Sequence, residues 1–335
     1  MKIKKLKKND LYSFFKYLKK NFKSNHIFYK SNELFDWQYL SKNDYNFYIF
    51  KVKSNIKAVQ GYIPTSRYDK KLKDDTIFLS IWSSSEVSAG TKLFYHFIKK
   101  NKCNLLVGLG SSRESFLFQK MLDFNCGYMD HYFLTNSERH KKLISPKSFS
   151  NWKSNLIVKN FKEIVSKKEI MKIDNNIFKE QYPKKTNQYI LNRYFKHQFY
   201  KYNIYEVQRD QKTIAVFVTR ICEFNKKTAI RIVDFFGKNH NFHHGKYLFR
   251  HLLQKNNSEF LDIYSYGIPK MNLARSGLDN VEKYKKNNII IPNYFEPFVK
   301  KNIKLPYAFK TSEKIKKKVR FFKADSDLDR PNILR

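Results

Sequence analysis

The sequence predicts an α+β chain of two tandem domains, each a mixed, mostly antiparallel sheet flanked by helices. Three observations carry that expectation. The chain has 335 residues, long for one compact core and comfortable for two. Hydrophobic residues make up 41% and aromatics 17%, enough apolar surface for packed cores. The same order of elements runs through the chain twice (hairpin, strand, helix, strand, helix, strand), which duplication explains. A Ser-, Lys- and Asn-rich stretch around Glu138 to Ser154, with Pro146 inside it, marks the join. The domains are therefore expected at 1–145 and 146–335.

In the first half, Asn9 to Lys20 carries apolar residues at 11, 14, 15 and 18, a helical stripe with Asn9 or Asp10 as N-cap. Phe47 to Lys53 and Lys57 to Pro64 read as a hairpin turning across Ser54-Asn55, and Thr76 to Ser83 as a third strand. Ser88 to Lys100 is an amphipathic helix and Asn104 to Gly110 a buried strand ending in glycines. Ser112 to Asp123 is a helix with Ser111 or Ser112 as cap, and Gly127 to Asn136 a last strand. The second half repeats this. Tyr202 to Arg209 and Thr213 to Cys222 form the hairpin, Ala229 to Gly237 the long strand, and Gly245 to Lys255 the helix. Glu259 to Gly267 is a strand, Lys270 to Ser276 a short helix, and Asn287 to Asn293 a final strand.

The formal net charge is +38, which first suggests nucleic acid. The lysines are scattered, however, save for Lys2 to Lys8 and Lys314 to Lys318. Abundant Lys, Asn, Ile, Phe and Tyr beside scarce Gly and Pro fit an AT-rich coding bias. A basic surface that attracts anionic small molecules is the expectation, and a nucleic-acid partner is not. Cys103, Cys126 and Cys222 form no CxxC pair, so neither a disulfide framework nor a zinc knuckle follows. No apolar leader and no run of about 18 apolar residues is found, so a cytoplasmic location without a membrane span is expected. His240, His243 and His244 lack the carboxylate or thiolate support of a metal site, and no metal is expected.

Ser88-Ala89-Gly90-Thr91 opens a helix directly after a strand. Small side chains there leave backbone N–H groups able to hold phosphate oxygens. With the order of elements, this stretch resembles the GNAT superfamily of acyl-CoA-dependent N-acyltransferases. In that fold a loop and helix after the fourth strand bind the coenzyme A pyrophosphate, and the pantetheine arm lies between diverging fourth and fifth strands. The resemblance implies coenzyme contacts at Ile81, Trp82, Ser83, Ser88, Ala89, Gly90, Thr91 and Gly108. The family loop, Gln/Arg-x-x-Gly-x-Gly/Ala, is matched only at Gly90 within Ser85 to Gly90. The loop Lys238 to Gly245 in the second half is longer and bulkier, which favours the first domain as the coenzyme site.

Four stretches are similar to bacterial two-domain GNAT proteins of surface-polysaccharide gene clusters: Tyr182 to Thr186, Asn192 to Tyr194 with His197, Ile291 to Phe298, and Asp325 to Asn332. That similarity implies acyl transfer from acetyl-CoA or 3-hydroxybutyryl-CoA to a nucleotide-linked amino sugar of the 3-amino-3,6-dideoxyhexose type, dTDP-linked in the favoured case. It implies acceptor contacts at Lys184, Arg193, Tyr194, Asn293, Tyr294, Glu296, Asp327 and Arg330.

Acyl transfer needs a neutral amine, a donor for the developing oxyanion and a route for the thiolate to leave. His131, Glu86, Asp234 and Glu296 are the candidates for the base. Asp130 and His131, adjacent on one strand, point to opposite faces and form no dyad. The helix after the fifth strand carries Phe116 and Phe118 where the superfamily often has a thiolate-protonating Tyr. A FemX-like aminoacyl-tRNA-dependent transferase, or a nucleic-acid-binding protein without catalysis, are the alternatives.

Overall fold

The computed structural model describes residues 1–73, 75–136, 141–146 and 160–330. The stretch read as the join between halves lies mostly outside them, as do Pro331 and Asn332. Strand β1 (Lys2–Lys7) leads into helix α1 (Leu11–Asn21), whose Phe14, Tyr17 and Leu18 are buried. Helix α2 (Asn32–Tyr39) is capped by Ser31, whose hydroxyl accepts from the Leu34 N–H. Strands β2 (Leu40–Ser41), β3 (Asp44–Val52), β4 (Asn55–Pro64) and β5 (Thr76–Ser84) follow. Then come α3 (Val87–Lys100), β6 (Leu105–Leu109), α4 (Arg113–Met121), β7 (Asn125–Tyr128) and β8 (Asp130–Thr135).

The second half supplies β9 (Phe161–Ile164), α5 (Lys167–Lys172), α6 (Asn187–Ile190), β10 (Asn203–Arg209), β11 (Lys212–Phe224) and β12 (Lys227–Gly237). Helix α7 (Lys246–Lys255), β13 (Phe260–Tyr266), α8 (Lys270–Arg275) and β14 (Asp279–Asn280) complete the repeat. The hairpin β15 (Tyr294–Phe295) and β16 (Phe298–Val299), then β17 (Pro306–Thr311), α9 (Glu313–Lys316) and β18 (Phe321–Phe322), end the described chain.

Two mixed sheets result, with helices against them. The first runs β1-β3-β4-β5-β6-β17-β7, with β2 on β3, and the second runs β14-β8-β13-β12-β11-β10-β9. Read from the same edge, the two orders correspond place for place. In each, a single parallel pair (β5 with β6, β12 with β13) sits among antiparallel neighbours. The strand beside that pair comes from the other half: β17 pairs β6 and β7, and β8 pairs β13 and β14. Residues 127–136, read as one strand, are therefore two, and the chain crosses between sheets at the buried Met129. The sheets do not divide at residue 145. The largest apolar cluster draws on both halves, packing Phe14, Phe47 and Val107 with Tyr194, Val218 and Phe321.

One expected strand is absent. Val281–Asn287 winds as a 3-10 helix, and Asn287 to Asn293 keeps only an isolated bridge from Ile290 to Ser145. The place such a strand would take beside β13 belongs to β8. Ile289 and Ile291 instead bury their side chains with Phe133 and Phe260, and Pro292 has no N–H to give a ladder.

Candidate functional site

The site begins where β5 and β6 part. They pair in parallel only from Thr76/Leu105 to Leu79/Gly108. Beyond Leu79 the register of β5 against β4 slips between Gln60 and Tyr62, so two residues, Ser80 and Ile81, face one. Such a bulge bends its strand. The glycine opposite is required: a Cβ at Gly61 would stand 2.5 Å from the Phe47 ring and from Ser80 Oγ. Residues 80–84 thus leave β6, and a cleft opens between them.

An inner cavity of about 210 Å³ fills the cleft, lined among others by Gln60, Ser80, Ile81, Trp82, Ser115, Tyr294, Asp327 and Arg330. It shares Phe22, Trp82, Ser112 and Ser115 with an outer cavity of about 870 Å³ that reaches Ser83, Glu86, Gly90 and Thr91 at the start of α3. Glu86 stands at the N-cap of α3 without a side-chain cap, so the N–H groups of Val87, Ser88 and Ala89 have no partner within the helix. Three buried polar atoms on the inner wall, Gln60 Oε1, Ser80 Oγ and Trp82 Nε1, have no hydrogen-bond partner among the described residues. Buried polar atoms are ordinarily satisfied.

The tail forms the far wall. Ser326 Oγ donates to Leu79 O at 3.4 Å, at the apex of the cleft. Leu328 packs on Gly110, where a Cβ would come within 2.5 Å of it. The Asp327 carboxylate accepts from Gln38 at 3.1 Å and Arg330 Nε at 2.9 Å. Burial opposes its charge, but Arg330 and these hydrogen bonds outweigh that and hold it below the usual carboxylate range. Burial pushes the Tyr294 phenol up.

The matching cleft in the second sheet is closed. Pairing of β12 with β13 stops at Ile232/Ile263, and the chain at 321–324 enters the gap. β18 pairs with Ser265 and Tyr266, and Ala324 N donates to Val233 O at 2.9 Å. One cleft is open and its twin is plugged by main chain.

The residues singled out in the sequence fall into three places. Ile81, Trp82, Tyr294, Asp327 and Arg330 meet at the inner cavity, and Trp82, Ser83, Glu86, Gly90 and Thr91 at the outer one. Ser88 and Ala89 form the first turn of α3, and Gly108 lies under Gln119, 2.5 Å from where its Cβ would be. Asn293, Tyr294, Glu296 and Arg330 border a third, small cavity of about 20 Å³.

His131, Asp234, Arg193 and Tyr194 are interior and away from these walls. His131 is 8% exposed, bonds Asp262 at 3.0 Å and stacks on Tyr264 at 3.9 Å. Burial lowers its pKa, outweighing the Asp262 carboxylate that raises it. It borders neither the inner nor the outer cavity, because β8 carries it into the second sheet, between β14 and β13. Asp234 is fully buried with Lys185 at 2.7 Å and Tyr194 at 2.5 Å, and Arg193 with Asp329 at 2.8 Å. The Lys184 N–H donates to Asp75 at 3.1 Å. Glu86 is half-exposed and paired with Lys57 at 2.6 Å. Sequence reasoning missed Gln60, Ser80 and Leu328. The one signal was a lone Gln inside the apolar strand Lys57 to Pro64. Among the described residues no group of three His, Cys, Asp or Glu could hold a metal ion, and no helix is long and apolar enough to cross a membrane.

No family model matches the chain, and no curated protein matches it in sequence. Solved structures do match in shape. A GCN5-related N-acetyltransferase from Anabaena variabilis aligns with 92% of this chain and 72% of its own, at 10% identity and a TM-score of 0.54. A protein of Pyrococcus horikoshii with a provisional acetyltransferase assignment aligns with 94% of this chain and 90% of its own, at 8% identity and a TM-score of 0.53. A conserved protein of unknown function from Enterococcus faecalis aligns with 78% of this chain and 64% of its own, at 13% identity and a TM-score of 0.50. At such identities the likeness is one of fold, and on it the chain has the α+β architecture, two mixed sheets flanked by helices, of GCN5-related N-acetyltransferase structures.

Proposed function

We propose that the chain is an acyl-CoA-dependent N-acyltransferase working at the open cleft of its first sheet. The carrying observation is the asymmetry of the two clefts. Between β5 and β6 a cavity runs inward from the uncapped start of α3, while the equivalent space between β12 and β13 is filled by β18. Free N–H groups at a helix start suit a diphosphate. The narrow cleft behind them suits a pantetheine arm, with the thioester beside Ile81 and Trp82.

In this reading the amine attacks the thioester carbonyl in the inner cavity. Ser80 Oγ–H and Trp82 Nε1–H, buried and unpartnered, are donors for the developing oxyanion. Asp327 is the carboxylate lining that cavity among the described residues, and, ionised beside Arg330, it accepts the proton from the nitrogen after attack has made that nitrogen an acidic ammonium centre. The Tyr294 phenol gives a proton to the departing thiolate, the role the Phe116 and Phe118 positions cannot fill. His131, Glu86 and Asp234 do not border the inner cavity.

For the donor we propose acetyl-CoA or 3-hydroxybutyryl-CoA, and for the acceptor the amino group of a nucleotide-linked amino sugar, dTDP-linked in the favoured case, in the cytoplasmic steps of surface-polysaccharide synthesis. What supports this is that Tyr294, Asp327 and Arg330, from stretches similar to such enzymes, line the inner cavity. The test is incubation with each acyl-CoA and a panel of nucleotide-linked amino sugars, following free thiol. Thiol release that depends on the sugar's amine is expected. No release with any pair, and no coenzyme A binding, would overturn the proposal.

A further inference from the structure

We infer that the small third cavity is an anion subsite, in which Lys323 and Asn293 receive an oxygen of a carboxylate or phosphoryl group carried by the acceptor. Its walls include Arg220, Arg231, Asn293, Lys323, Asp329 and Arg330, and it shares Tyr294, Leu328 and Arg330 with the inner cavity. An anion there sits one side chain away from the place where the amine is acylated.

The charges around it are unevenly matched. Arg231 holds Asp262 through two bonds of 2.8 and 3.1 Å, and its other donors reach the Pro292 and Asn293 carbonyls. Arg220 pairs with Glu296 at 3.4 Å and Arg330 with Asp327 at 2.9 Å. Asp329 is taken by Arg193 and Tyr202. Lys323 is 2% exposed and has no carboxylate within ion-pair distance among the described residues. Among the described residues its nitrogen bonds the carbonyl and side-chain oxygens of Asn293 and lies 5.6 and 5.8 Å from the Tyr264 and Tyr294 ring centres. A buried cation without a counter-ion is costly, and burial pushes this one well below the usual lysine range.

A second observation points into the same space. The Asn293 side-chain oxygen faces Lys323, which fixes the orientation of the amide. Its Nδ2, on a residue 1% exposed, finds no partner among the described residues. A lysine nitrogen without a carboxylate partner and a spare amide donor therefore belong to residues that border one cavity of about 20 Å³, room for roughly one oxygen atom. One anionic oxygen would serve both.

As an acceptor subsite this rests on the acyltransfer reading; as an anion site it stands without it. The experiment uses the full chain. Sodium formate and inorganic phosphate are titrated calorimetrically, each with and without saturating coenzyme A, and coenzyme A is titrated separately. We expect one-to-one binding of at least one anion, weakened tenfold or more by Lys323→Met, with coenzyme A affinity within about twofold of the parent. Formate alone identifies a carboxylate acceptor, phosphate alone a phosphoryl one. Binding of neither anion, or binding that Lys323→Met leaves unchanged, overturns the inference. Should Lys323→Met fail to fold by circular dichroism, bromide soaked into parent crystals reads the same place. An anomalous peak in contact with Lys323 Nζ supports the site, and none there overturns it. Anion binding without coenzyme A binding would sink the acyltransferase and leave the subsite standing. Coenzyme A binding without anion binding would do the reverse.

Discussion

Individual side chains here divide into those that face a cavity and those that hold the interior, and chemistry alone does not tell them apart in a sequence. His131 has the titration range of a base, yet its ring is locked between Tyr264 and Asp262. Asp327 is reached in the sequence only through the similarity that makes it an acceptor contact, and it walls the inner cavity. Asp327→Asn should lower kcat at least about a hundredfold while coenzyme A binding, measured by calorimetry, stays within about threefold. Equal loss of both would make its role structural. The Asp262 carboxylate gives a pH prediction. Burial works against its charge, but Arg231 and His131 prevail and hold it at about 2. A depressed carboxylate contributes stability above its unfolded pKa of about 3.9 and loses it as pH falls toward the folded value. Between pH 4 and pH 2 the parent should therefore lose about 2 kcal/mol through this group, and Asp262→Asn should flatten that part of a urea-midpoint-against-pH curve. At pH 7 the same variant strands Arg231 and should cost about 3–5 kcal/mol.

Elements were more legible than side chains. The two hairpins, the long strands, α3, α4 and α7 follow from periodicity and caps, and Ser112 does cap α4 by accepting from the Ser115 N–H at 3.3 Å. What periodicity cannot show is where an apolar run ends up. Asn287 to Asn293 is apolar enough for a strand but plugs a core, because the neighbouring strand position is already filled from elsewhere in the chain. The same blindness covered β18, two residues whose effect is to close one cleft. The start of α3 offers a test with two opposite signs. Ser88→Asp places a carboxylate at the uncapped first turn, which should stabilise the helix by about 0.3–1 kcal/mol. If that turn holds a diphosphate, the same change should weaken coenzyme A binding at least about tenfold. A thermal upshift with unaltered coenzyme affinity would argue that the phosphates lie elsewhere.

At the scale of the molecule, duplication is visible in the order of elements, but the exchange of strands is not. Nothing in Pro306 to Thr311 announces that it belongs between β6 and β7, some two hundred residues upstream. Because each sheet contains a strand from the other half, and one apolar cluster spans both, the chain should unfold in a single cooperative transition with calorimetric and van't Hoff enthalpies in agreement. A fragment of residues 1–145 should leave β7 and β8 without partners and β6 with only β5, and fail to give a dispersed NMR spectrum. Two separate transitions, or a well-folded fragment, would contradict the shared architecture.

The exchange also sets a timetable. A ribosome adds about 5–20 residues per second, and β7 ends at Tyr128 while β17 begins only at Pro306. The nascent N-terminal half must therefore wait roughly 10–35 s with an open edge before its missing strand is made. Through that interval a chaperone, or a neighbouring nascent copy offering its own β17, has the first claim on the vacancy.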